Sequence, residues 1–137
     1  MIDLGATRDA LAGVAVAALG ERATVYSRPP VGTVAFPAVI VGLPEWEPTQ
    51  HDLAQQFDRI TFPVAVAMQR PGADDAELVD ALESLWPPLL AAIDHEINHG
   101  GAFDAVCSAA HITRAYFDLA VISGVQCPSQ LIEIDFY

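Results

Sequence analysis

The chain predicts an α+β fold: a two-layer sandwich in which two helical units cover one face of a mostly antiparallel sheet of about five strands, in the order α-β-β-β-α-β-β. Three observations predict it. From Leu131 to Tyr137 the residues alternate, with Ile132, Ile134 and Phe136 on one face and Glu133, Asp135 and Tyr137 on the other, the period of a half-buried strand. Ile60, Phe62, Val64, Val66 and Met68 alternate in the same way with Arg59, Thr61, Pro63, Ala65 and Ala67. Helical spacing occurs in two stretches, one near each side of the first strand group. Strands with one apolar face need a helical cover on one side, and 137 residues form a single domain, 1–137, large enough to bury a core.

In chain order, Asp3 or Thr7 caps a first helix with Leu4, Leu11, Val14 and Ala18 near one face, and Gly20 ends it. Ala23 to Ser27 reads as a short strand. After the turn residues Pro29, Pro30 and Gly32, a second strand runs from Val34 to Leu43, where Val39, Ile40 and Val41 in succession predict burial on both faces. Pro44 to Gln56 is polar and reads as a long exposed loop carrying Trp46. The third strand is Phe57 to Met68, and Pro63 within it predicts an edge position or a bulge.

Asp74, Asp75 and Glu77 favour a helix start, followed by Leu78, Leu82 and Leu85 at helical spacing. Pro87 and Pro88 are expected to break that helix. A short second piece with Leu89, Leu90, Ile93 and Ile97 then stops at Gly100 and Gly101. Val106 to Tyr116 reads as a fourth strand, a connection holds Gly124 and Pro128, and the strand from Leu131 closes the order.

Composition narrows the function. Apolar residues make up 53% and charged residues 18%, a balance that leaves part of the surface apolar and suited to contact with another chain. Six Arg and no Lys oppose eighteen carboxylates for a net charge of −12, with no basic cluster to neutralise a run of phosphates. Direct nucleic-acid binding is therefore not expected. Cys107 and Cys127 lack a C-x-x-C spacing and fit buried thiols in a reduced compartment. The apolar run Ala10 to Leu19 is too short to span a bilayer, and its acidic flank does not suit a signal peptide.

One motif points to chemistry. His95, Glu96 and His99 form H-E-x-x-H, in which two histidines one helical turn apart ligate zinc and the glutamate is the general base. The extended form of the motif fails, because Ala102 stands at the glycine position and Ala105 at the third ligand. His111, Asp118 and Glu133 remain as substitutes for that ligand only in a different fold. At about 100° per residue the histidine pair also lies roughly 150° from the centre of the Leu89, Leu90, Ile93, Ile97 stripe, facing away from the core. A solvated helix end accounts for the pair better than a metal site. A small-ligand module is disfavoured, since no polar cluster converges within an apolar stretch.

The order of elements, the Val41-Gly42-Leu43-Pro44-Glu45 segment and the Arg59 to Val66 strand with its Phe62-Pro63-Val64 core resemble tail terminator (tail completion) proteins of long-tailed bacteriophages. So do Gly100 and Gly101 followed by Phe103 to Val106, and Ser123-Gly124-Val125 leading into the last strand. The resemblance implies a non-enzymatic virion protein without a cofactor, made in the host cytoplasm. It would form a ring of six copies that caps the tail tube, ends its polymerisation and docks the head connector. Its partners are then itself, the tube protein and the connector, and DNA passes through the channel unbound, kept from adhering by carboxylates facing the bore. The resemblance directs attention to Trp46 and Glu47 for tube or connector contacts, and to Arg59, Glu133 and Tyr137 on the polar sheet face for subunit contacts. Another neck or head-completion protein is the nearest alternative, and a minimal zinc peptidase using His95, Glu96 and His99 the more distant one.

Overall fold

The computed structural model describes residues 2–50, 56–69 and 75–137. Over these residues it is an α+β protein with two α-helices and a six-stranded, mostly antiparallel sheet. Helix α1 (Leu4–Leu19) starts at Asp3, whose carboxylate accepts the Ala6 N–H at 3.0 Å, and the chain leaves it at Gly20 with φ 57°. Thr7, fully buried, donates its hydroxyl to the Asp3 carbonyl at 2.8 Å. Asp3 is therefore the cap, and Thr7 is a satisfied core residue behind it.

The strands are β1 (Thr24–Tyr26), β2 (Ala38–Val41), β3 (Glu45–Gln50), β4 (Gln56–Ala67), β5 (Ala110–Ile122) and β6 (Val125–Phe136). They order as β1-β2-β4-β6-β5, with β1 parallel to β2 and the remaining pairs antiparallel; β3 also lies on β4. The expected loop from Pro44 is thus a strand over Glu45–Gln50, whereas 51–55, including His51, lie outside the described residues. Its polar sequence concealed it. A strand with one free side tolerates exposed charge and Pro48, because no neighbour needs the missing N–H there. In the register Glu47 stands opposite Arg59.

Both β2 and β3 use the same side of β4, and the pairing slips by one residue between Val41↔Val64 and Glu45↔Thr61. The expected bulge at Pro63 sits in this slip. Gly42 donates its N–H to the Pro63 carbonyl at 2.7 Å, and Pro63 has no N–H to return. A Cβ on Gly42 would lie 2.7 Å from Pro63 Cγ, so only glycine permits this approach.

Helix α2 runs unbroken from Asp75 to His95 with Pro87 and Pro88 inside it, against the expectation of a break. Leu78, Leu82, Leu85, Leu89 and Ile93 form one buried stripe through the prolines. The carbonyls that lose their donors belong to Glu83 and Ser84, both exposed, so solvent can take the donors' place while core packing holds the helix. The fourth expected strand is shifted: it begins at Ala110 rather than Val106 and continues to Ile122. The connection expected at Gly124 and Pro128 is a two-residue turn at Ser123 and Gly124, with φ 49° and 80°. Pro128 belongs to β6, just past the last β4 pair, Ala67↔Ser129.

The core lies between the helices and the sheet, centred on Phe62, Phe136, Ile132, Ile134 and Val64. A smaller cluster of Ala38, Ile40, Ala67, Ile122 and Cys127 occupies part of the opposite face, packed by Tyr26, Val34 and Phe36. That face is therefore polar over one half only.

Candidate functional site

Three surfaces carry the side chains that sequence reasoning singled out. The first is the end of α2, where residues Glu96–Gly100 widen into a π-turn closed by Gly101 at φ 80°. The His95 and His99 rings lie 5.7 Å apart between centroids, and both residues are exposed. The Glu96 carboxylate folds back onto its own turn and accepts the Ala102 N–H at 3.1 Å, while the Glu96 carbonyl accepts the Gly101 N–H at 3.1 Å. A Cβ on Gly100 would collide with that carboxylate. Glu96 thus closes the helix terminus, which accounts for the two glycines that follow. Among the described residues no group of three His, Cys, Asp or Glu stands close enough to hold a metal ion, so His111, Asp118 and Glu133 do not complete a set with the two histidines.

The second surface is the polar half of the sheet face away from the helices. Asp135, 6% exposed, accepts the Thr61 hydroxyl at 2.6 Å and lies 3.9 Å from the Arg59 guanidinium. One pair further along, Glu133 takes Arg114 Nε at 2.7 Å and Nη2 at 3.5 Å, and accepts the Tyr116 hydroxyl at 3.3 Å. The Arg114 guanidinium also sits 4.1 Å from the Tyr116 ring centroid. These hydrogen bonds, Glu133 first, hold the Arg114 guanidinium above its ordinary pKa. At the edge, the His111 and Tyr137 rings approach to 5.8 Å. Sequence alternation placed Arg59, Glu133 and Tyr137 on one face, and the structure brings them to the same half of it. Arg114 and Tyr116 escaped notice because β5 was displaced and a bulge between Ile112 and Arg114 resets its alternation.

The third surface is apolar. Trp46 stands opposite Ile60 at the start of β3 and is 60% exposed; of the Glu47 side chain nothing is described. Beyond α2, Phe117, Leu119 and Val121 point from β5 toward the helix side and are 58%, 41% and 68% exposed. On the other face, Pro29, Pro30, Ile40, Ala65, Ile122 and Leu131 line a groove of about 190 Å³, room for little more than one side chain. The two thiols are apart in environment, Cys107 beside the main core and Cys127 in the small cluster, and both are free. Burial, with Asp104 adding to it, pushes the Cys107 thiol up, and burial alone does so for Cys127. Among the described residues no helix is long and apolar enough to cross a membrane.

Compared with protein-family models and with curated proteins, the chain matches none.

Proposed function

We propose that this chain is a structural subunit that assembles with copies of itself into a ring, in the manner of a phage tail terminator that caps the tail tube and docks the head connector. The observation that carries the reading is the uncovered row of Phe117, Leu119 and Val121 on the helix side of β5. Large apolar residues in a contiguous exposed row are a surface for another protein. The resemblance of the segments around Val41 to Glu45, Arg59 to Val66 and Ser123 to Val125 supplies the kind of assembly. The polar network of Arg59, Asp135, Arg114 and Glu133 supports it too, because charged side chains already held in place lose little entropy when a neighbour packs on them. DNA would pass such a ring without adhering, consistent with a charge of −12.

Native mass spectrometry of the purified protein, with and without zinc, tests the reading. A metal-free closed oligomer, six copies above all, is the expected result, and incubation with growing tail tubes should fix their length. A monomer with one tightly held zinc would overturn it.

A further inference from the structure

Two helices, each about 10 Å across, cover about four strands spaced about 4.8 Å apart. Here α1 packs over β1 and β2, and α2 over β4 and β6. The fifth strand in the order, β5, is left at the margin, and Trp86, Pro87, Leu90, Ala91 and, at its end, Asp94 of α2 form with Ile112 the wall of an open groove beside it. Ile112, Ala115, Phe117, Leu119 and Val121 of β5 share this face with Gln126, Pro128 and Gln130 of β6. None of these eight side chains is charged, in a chain of −12.

At the opposite margin, the outer face of α1 is largely apolar too, with Asp9 its one exposed charge. Leu4 and Val16 are 41% and 55% exposed, Gly13 and Ala17 are exposed beside Val16, and Arg8 and Asp9 are the helix's only charges and cancel. A helix on a solvated surface carries a polar outer face, whereas one apolar on every side is a buried helix.

We infer that α1 of a second copy of this chain lies on the β5 face, as a third helix in the groove beside α2. Charge selects this occupant. Two chains of −12 repel across most of their surfaces, and they meet here through a sheet face without charge, bordered by Asp94 on the α2 wall, and one helix of zero net charge. Size agrees: the exposed parts of Phe117, Leu119 and Val121 give on the order of 300 Å², over a third of one partner's share of a standard interface, and the α2 wall adds to it. The contact is made by the face of β5 and not by strand addition at its edge. The Asp118 carboxylate accepts the Leu119 N–H at 2.8 Å, occupying a donor on the free edge, and the bulge at Ile112/Arg114 interrupts the other end. Because α1 and β5 lie at opposite margins of one sheet, the contact is head to tail and repeats around a ring. The inference rests on the ring reading and specifies its interface.

Cysteine pairs test it. Val16→Cys and Leu119→Cys, both at exposed positions, are made singly and together, oxidised, and read by non-reducing gels beside native mass spectra, with melting curves to verify folding. The expected result is a disulfide-linked ladder from the double variant and a linked dimer from mixing the two single variants, with neither single variant linking to itself. Self-linking of Leu119→Cys alone would replace the head-to-tail contact by a two-fold one. An oligomer that never cross-links would overturn this interface and leave the ring standing, whereas a monomer at every concentration, never cross-linked, would overturn both.

Discussion

Phe62 and Phe117 are the same residue type on the same face of the same sheet, one with no exposure and the other 58% exposed. Phe62 lies on β4 beneath the helices and meets Phe136 edge to face, with centroids 5.9 Å apart. Phe117 lies on β5, past the edge of the helical layer. The alternation of apolar residues decides which face a side chain joins, and the number of helices decides whether that face is covered. The central strands thus describe how the monomer is held together, while the marginal strand presents the apolar surface that the monomer leaves uncovered.

The largest expected effect tests the covered side. Phe62→Ala removes a fully buried ring from the contact with Phe136 and should cost about 3–5 kcal/mol in urea unfolding. A loss below about 1 kcal/mol would mean that the β4 and β6 core is looser than its burial indicates.

The polar half of the outer face should show a middle effect. Asp135→Ala leaves the half-buried Thr61 hydroxyl without its 2.6 Å acceptor and removes the nearly buried carboxylate 3.9 Å from Arg59. A loss of about 1–3 kcal/mol is expected. Thr61→Val with Asp135→Ala should recover part of it, because removing both partners avoids an unsatisfied group. No recovery would assign the cost to the Arg59 side of the network.

How legible all this was depended on whether a residue's surroundings are local in sequence. The start of α1, between Asp3 and Thr7 as caps, and the faces of β4 and β6 were legible, since each follows from spacing within one segment. The α+β class followed from them. The unbroken α2 was not legible, because the leucine stripe that carries it past Pro87 and Pro88 is stabilised by the sheet, which local propensity does not see. Strand β3 was hidden for a related reason: Glu45–Gln50 has no apolar alternation and is a strand because β4 offers it a ladder. At the site, Arg59, Glu133 and Tyr137 were legible as one face, but Arg114 and Tyr116 required the bulge in β5. The exposure of Phe117, Leu119 and Val121 was illegible in principle, since a row that a helix covers and a row left uncovered have the same spacing.

The smallest expected effect is the one that separates the two phenylalanines. Phe117→Ala, studied at protein concentrations low enough to dissociate any assembly, should change the unfolding free energy by no more than about 0.5 kcal/mol, as for other surface positions. At high concentration the same variant should melt earlier than the parent, because the parent gains stability by mass action from whatever covers the β5 face. A parent melting temperature that rises with protein concentration, and a variant whose melting temperature does not, would place Phe117 in an assembly contact. Equal curves for both at every concentration would place it on a surface that nothing meets. A loss at low concentration near that of Phe62→Ala would mean that β5 is already covered within a single copy, and the contrast between centre and margin would fall with it.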